Sequence, residues 1–175
     1  SIIKLKNTFK NKKDAIITVP KIINYKNFYD KKRRKVFPVK NILGAIFLAD
    51  RKKFIKFKMF DERFFFYWED IDLCKRISYS KFKIYINTLA QAKHKGLRSV
   101  KLNLKTFVLR KVYFKYGEYL FQSKYKNLKL IKVIREPLKF IFFSFYHFFA
   151  FNFKKSLENL CFVYAILRFM VKKTL

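Results

Sequence analysis

The residues able to do chemistry fall in one short block, and most are carboxylates. Glu69, Asp70 and Asp72 open the segment EDIDLCKRISYS, with Asp61 upstream in FDERFFFYW and His94 downstream in KHKG. Asp70, Leu73, Cys74 and Ile77 are spaced i, i+3, i+4, i+7, so a helix here puts them on one face. Asp70 tops that stripe and faces the core or a cleft, whereas Asp72 lies off it and can pair with Lys75 or Arg76. A carboxylate anchored at a cleft-facing helix start is partly desolvated and can take the proton of an attacking hydroxyl. The same position also suits an N-cap with no catalytic task. His94 stands between Lys93 and Lys95. Those cations disfavour imidazolium, and a neutral imidazole can ligate a divalent metal, although a lone histidine is commonly structural. Trp68 and Tyr67 can offer an aromatic wall to a ligand's C–H face, or they can pack in the core. His147, in an aromatic helix, is read as structural or interfacial.

The elements around these residues read as an α/β layer. Residues 15–19 (AIITV) form a buried strand ending at Pro20, and residues 42–49 (ILGAIFLA) form another, with Gly44 allowing close backbone approach. Asp50 caps a short helix through Lys56, the acidic block starts a second helix, and 83–87 (KIYIN) alternates as a strand. The basic run Lys31-Lys32-Arg33-Arg34-Lys35 is a solvated loop rather than a targeting signal. Beyond about residue 100 the pattern turns helical, basic and aromatic. Pro137 starts a helix, PLKFIFFSFYHFFAF, and 156–171 form another. The 12 apolar residues from Phe140 to Phe151 are too few to span a bilayer; their rings surround the axis, to be buried on several sides or inserted in an interface. No internal repeat is visible.

The block GAIFLADRKKFIKFKMFDERFFFYWEDIDLCKRI resembles family 2 glycosyltransferases of the rhamnosyl- and galactofuranosyltransferase type. The matching positions are Gly44, Ala45, Leu48, Arg51 and Phe54, then Phe60-Asp61-Glu62, Phe64-Phe65, Glu69-Asp70, Asp72-Leu73 and Arg76. HKGLRS resembles the family's histidine-glycine-serine segment at His94, Gly96 and Ser99, and VPKIIN at 19–24 resembles a strand ending in Pro-Lys. The resemblance spans about residues 14–100. It implies the acceptor-side half of a GT-A fold at 1–100, followed by a basic amphipathic helical region at 101–175. It further implies an inverting transfer from a nucleotide-sugar donor to a cell-surface glycan or lipid-linked acceptor. Asp70 would be the base, Glu69, Trp68 and Asp61 would bind acceptor, and His94 would help hold a Mg or Mn ion on the donor's diphosphate. Two departures stand out: Lys58-Met59 replace a common Gly-Gly, and no glycine ends the helix near Lys81. No Asp-x-Asp occurs before residue 61, so the donor-binding half is expected upstream of Ser1; Asp70-Ile71-Asp72 is read as a false match.

Composition sets the surroundings. Lys and Arg number 42 against 11 Asp and Glu, a formal charge of +31, which attracts polyanions: phosphate-bearing substrates, nucleic acid or acidic lipid. An AT-rich genome also produces such a lysine- and phenylalanine-rich, glycine-poor chain. Hydrophobic residues at 51% exclude a disordered chain, and aromatics at 21% need a large interior or an apolar surface to lie against. Two cysteines, Cys74 and Cys161, make no disulfide framework or zinc site and suit a reducing compartment. The expected setting is cytoplasmic, peripheral at an anionic inner membrane face, with no specific nucleic-acid partner. The alternative reading is a basic nucleic-acid-binding or membrane-associated protein without catalysis.

Overall fold

The computed structural model describes residues 1–23, 35–95 and 103–174. The chain is mixed α/β, a small four-stranded mixed sheet followed by a helical carboxyl-terminal part. It divides into two compact units, the first formed by Ser1–Glu62 and Glu69–Gly96, the second by Arg63–Trp68 and Leu97–Leu175.

In the first unit the elements are α1 (Ile2–Asn11), β1 (Ala15–Ile22), β2 (Val36–Val39), β3 (Leu48–Ala49), α2 (Arg51–Lys56), α3 (Glu69–Ser78) and β4 (Lys83–Ala92). The sheet order is β2-β4-β1-β3, with β1 and β4 parallel and both outer pairings antiparallel. Every residue of β1 except Lys21 is buried, which explains why AIITV is continuously apolar: successive side chains point to opposite faces, and both are covered. Helix α1 packs against β1 and β4, and α3 against β4. Ile16, Ile17, Val19, Leu73, Ile84 and Ile86 form the centre of the core.

Two expectations are corrected here, and two elements are added. Strand β1 runs through Pro20 to Ile22; the register shifts between Pro20 and Lys21, and at such an irregularity a missing N–H is tolerated. The strand expected over 42–49 shrinks to Leu48–Ala49, because residues 44–46 turn and the Gly44 amide bonds a side chain instead of a neighbouring strand. Helix α1 and strand β2 went unread: α1 buries only Leu5 and Thr8 along its length, and β2 is four residues of an edge strand containing Pro38. Helix α2 and its cap match the reading, with Asp50 accepting from the Lys53 amide at 3.1 Å. The basic run at 31–34, like Gly96 and Ser99, lies outside the described residues.

The second unit holds α4 (Leu104–Lys124), α5 (Leu130–Phe149) and α6 (Phe153–Thr174). Asn103 and Thr106 close a reciprocal cap at the start of α4. Helices α4 and α5 both pack on α6, around Val112, Cys161 and Ala165 and around Tyr119, Ile166 and Phe169. Pro137 does not start a helix: it lies inside α5, which begins at Leu130. Lys126 and Phe151, just beyond the ends of α4 and α5, take the left-handed conformation that ends helices, at φ 57° and 56°. Among the described residues no helix is long and apolar enough to cross a membrane.

Candidate functional site

The first turn of α3 is built from two distant stretches of chain. Glu69, Asp70 and Asp72 sit where the helix dipole favours anions. Segment 42–44 runs beside them. The Gly44 amide donates to Asp70 Oδ2 at 2.9 Å, and one turn on the Cys74 thiol meets the Ile42 backbone. A Cβ on Gly44 would stand 2.8 Å from Asp70 Cβ and 3.1 Å from Oδ2, so only glycine lets the two backbones approach this closely. Asp70 Oδ1 accepts from the Ile71 amide at 2.8 Å. The carboxylate is thus oriented by two amides and stays half-buried, with a further lone pair on each oxygen.

Glu69 is in a different environment. Burial pushes its carboxyl above the ordinary range, its own backbone amide pulls it partly back, and the neighbouring Asp70 charge pushes it up again. Its Oε2 is buried and has no hydrogen-bond partner among the described residues. Burial likewise raises the Cys74 thiol to about 11, leaving it a neutral core side chain.

Asp72, read as lying off the core-facing stripe and able to pair with Lys75 or Arg76, is a core residue paired with Arg76. It is fully buried and receives Arg76 Nε at 2.9 Å. Arg76 also donates to the carbonyls of Phe57 (3.1 Å) and Met59, with its guanidinium over the Phe57 ring at 5.3 Å. Those carbonyls bracket Lys58 and Met59, whose φ values of 62° and 36° are left-handed. The turn holds a backbone that glycine would adopt freely, and the Asp72–Arg76 pair clamps it. Sequence reading placed the pair but missed its task, because the only local signal was the i, i+4 spacing.

Trp68 belongs to the second unit, and its ring is engaged there. The indole N–H donates to the Phe114 carbonyl at 2.9 Å, the ring contacts Phe114 and Phe121, and Gly117 of α4 packs directly against it. Tyr67 accepts from Arg110 Nε at 2.7 Å. Both rings thus pack on α4. Asp61 is half-buried in the irregular stretch before α3.

His94 is half-buried two residues beyond the end of β4. Just before it, the Leu89 and Gln91 carbonyls accept from Lys4 Nζ at 2.9 Å and Ser1 Oγ at 3.1 Å, at the start of α1. Among the described residues no three His, Cys, Asp or Glu side chains gather into a group able to hold a metal ion. His94 remains the one metal ligand that the sequence named. His147, half-buried in α5, stacks on Phe143.

No protein-family model, curated protein or solved structure matches this chain.

Proposed function

We propose that the first unit is the acceptor-side half of a GT-A-type inverting glycosyltransferase acting from a nucleotide-sugar on a glycan or lipid-linked hydroxyl. The observation that carries the reading is the contact between Gly44 and Asp70. Each belongs to a separate motif of the family 2 resemblance, and they stand 26 residues apart in sequence yet share a hydrogen bond that only glycine permits. The left-handed Lys58-Met59 turn, where that family commonly has glycines, supports it independently.

In this reading Asp70 is the base. The Gly44 and Ile71 amides aim its carboxylate, and the acceptor hydroxyl donates to a remaining lone pair. As the hydroxyl oxygen bonds to the anomeric carbon, the bond to the nucleotide diphosphate breaks from the opposite face and the hydroxyl proton passes to Asp70. Glu69 and Asp61 are proposed to bind acceptor. The Mg or Mn ion that the resemblance implies has one proposed ligand here, His94, and no step runs through it. The proposed setting is cytoplasmic.

The test is sugar transfer by the intact protein. Asp70→Asn is expected to lower kcat by about 10²–10⁴-fold, the ordinary worth of a positioned base. Glu69→Gln is expected chiefly to raise KM for acceptor. Near-normal turnover in Asp70→Asn overturns the assignment.

A further inference from the structure

We propose that α5 docks the second unit onto an anionic bilayer surface, lying in the interface plane rather than crossing it. The inference uses no residue of the first unit and stands apart from the transferase reading.

One side of α5 faces protein. Ser144 is buried against Ser156 at 3.1 Å, and the Phe140 ring meets Phe162 at 5.1 Å. The opposite side carries Ile131, Ile134, Leu138, Phe142, Phe145 and Phe149, three or four residues apart, hence one stripe along the whole helix. That stripe is about 30 Å long at the ordinary rise per residue. Its members run from 54% exposed at Ile134 to 75% at Phe149, and Phe151 beyond the helix reaches 83%. An uncovered apolar face of this length marks an interaction surface.

Charge selects the occupant. Arg135 and Lys139 are exposed along one edge of the stripe, Lys126 and Lys129 before its start, and Lys154 and Lys155 after its end. The carboxylate side chains after residue 97 are Glu118, Glu136 and Glu158. Each is committed internally: Glu118 and Glu136 to Lys115 and Lys132, and Glu158 to Lys111. An aromatic stripe rimmed by cations complements acyl chains beneath anionic head groups. A second copy would set one cationic rim against another, and a nucleic acid would leave the stripe in water.

The test is flotation of the 175-residue chain with phosphatidylcholine vesicles and with phosphatidylcholine–phosphatidylglycerol vesicles, at low and high salt, beside sedimentation of the protein alone. Binding is expected on the anionic vesicles, weaker in high salt. Phe142→Ser/Phe145→Ser should weaken it by about tenfold or more, and Arg135→Gln/Lys139→Gln by about tenfold. These side chains are exposed, so the helical circular dichroism should persist; Ile134→Gln/Leu138→Gln provides a second stripe variant should the first misfold. Absence of flotation, equal binding to neutral vesicles, or wild-type binding by both stripe variants overturns the proposal. So does a dimer in solution that the stripe variants dissociate, which would make a second copy the occupant.

Discussion

The backbone amide of Gly44 donates to Asp70 Oδ2 at 2.9 Å across 26 residues of chain. Glycine is required there for space, since an added Cβ meets the Asp70 Cβ at 2.8 Å, a backbone-anchored atom that cannot swing away. Gly44→Ala should therefore cost about 1–3 kcal/mol through overpacking, and under the proposed transferase function should lower activity by misaiming Asp70. Urea unfolding reads the first effect. A variant as stable as wild type would show that segment 42–44 shifts freely.

Lys58 and Met59 hold left-handed backbone without being glycine. That conformation costs an L-residue about 1–2 kcal/mol, partly offset by glycine's greater freedom when unfolded. Lys58→Gly and Met59→Gly should each stabilise the first unit by about 0.5–1 kcal/mol, seen as a higher urea midpoint. A lower midpoint for both would mean the side chains matter more than the turn.

Arg76 neutralises a fully buried carboxylate and holds two carbonyls of that turn. Arg76→Met leaves Asp72 charged in the core and should cost about 3–5 kcal/mol. Combining Arg76→Met with Asp72→Leu should recover part of the loss. Additive losses in the double-mutant cycle would refute direct coupling of the pair.

The raised Glu69 carboxyl has a definite sign. A folded-state affinity for protons above the unfolded one favours folding fully below the unfolded value, and that contribution is lost as pH rises through the folded value. Glu69→Gln should therefore gain stability relative to wild type near neutral pH, and the gain should vanish under acid. Thermal melts across pH would expose a gain independent of pH, which this account forbids.

Glu118 runs the other way. Burial pushes its carboxyl up, but bonds to Lys132 (2.6 Å) and Lys115 (2.9 Å) outweigh burial and hold it below the ordinary 4.5. Its contribution is present above that value and lost as pH falls through the folded one. Acid titration of helical circular dichroism should show a loss step that Glu118→Gln removes.

Sequence alone reached what neighbours in the chain decide. The Asp50 cap, the start of α3 at Glu69 and the strand at KIYIN are set by side chains acting within three or four residues. It also brought Gly44 and Asp70 into view as members of ordered motifs. Only the tertiary structure joined them, because a hydrogen bond across 26 residues leaves no periodic trace. The same limit hid the burial of Asp72 against the Arg76 that clamps the loop carbonyls, and the engagement of Trp68 by α4. Pro137 inside α5 and Pro20 inside β1 were read as boundaries, since local propensity alone says stop. Packing of α5 on α6 and of β1 on β4 outweighed it. Local chemistry is written in adjacent residues; which face meets which is decided by burial, and burial is a property of the folded chain.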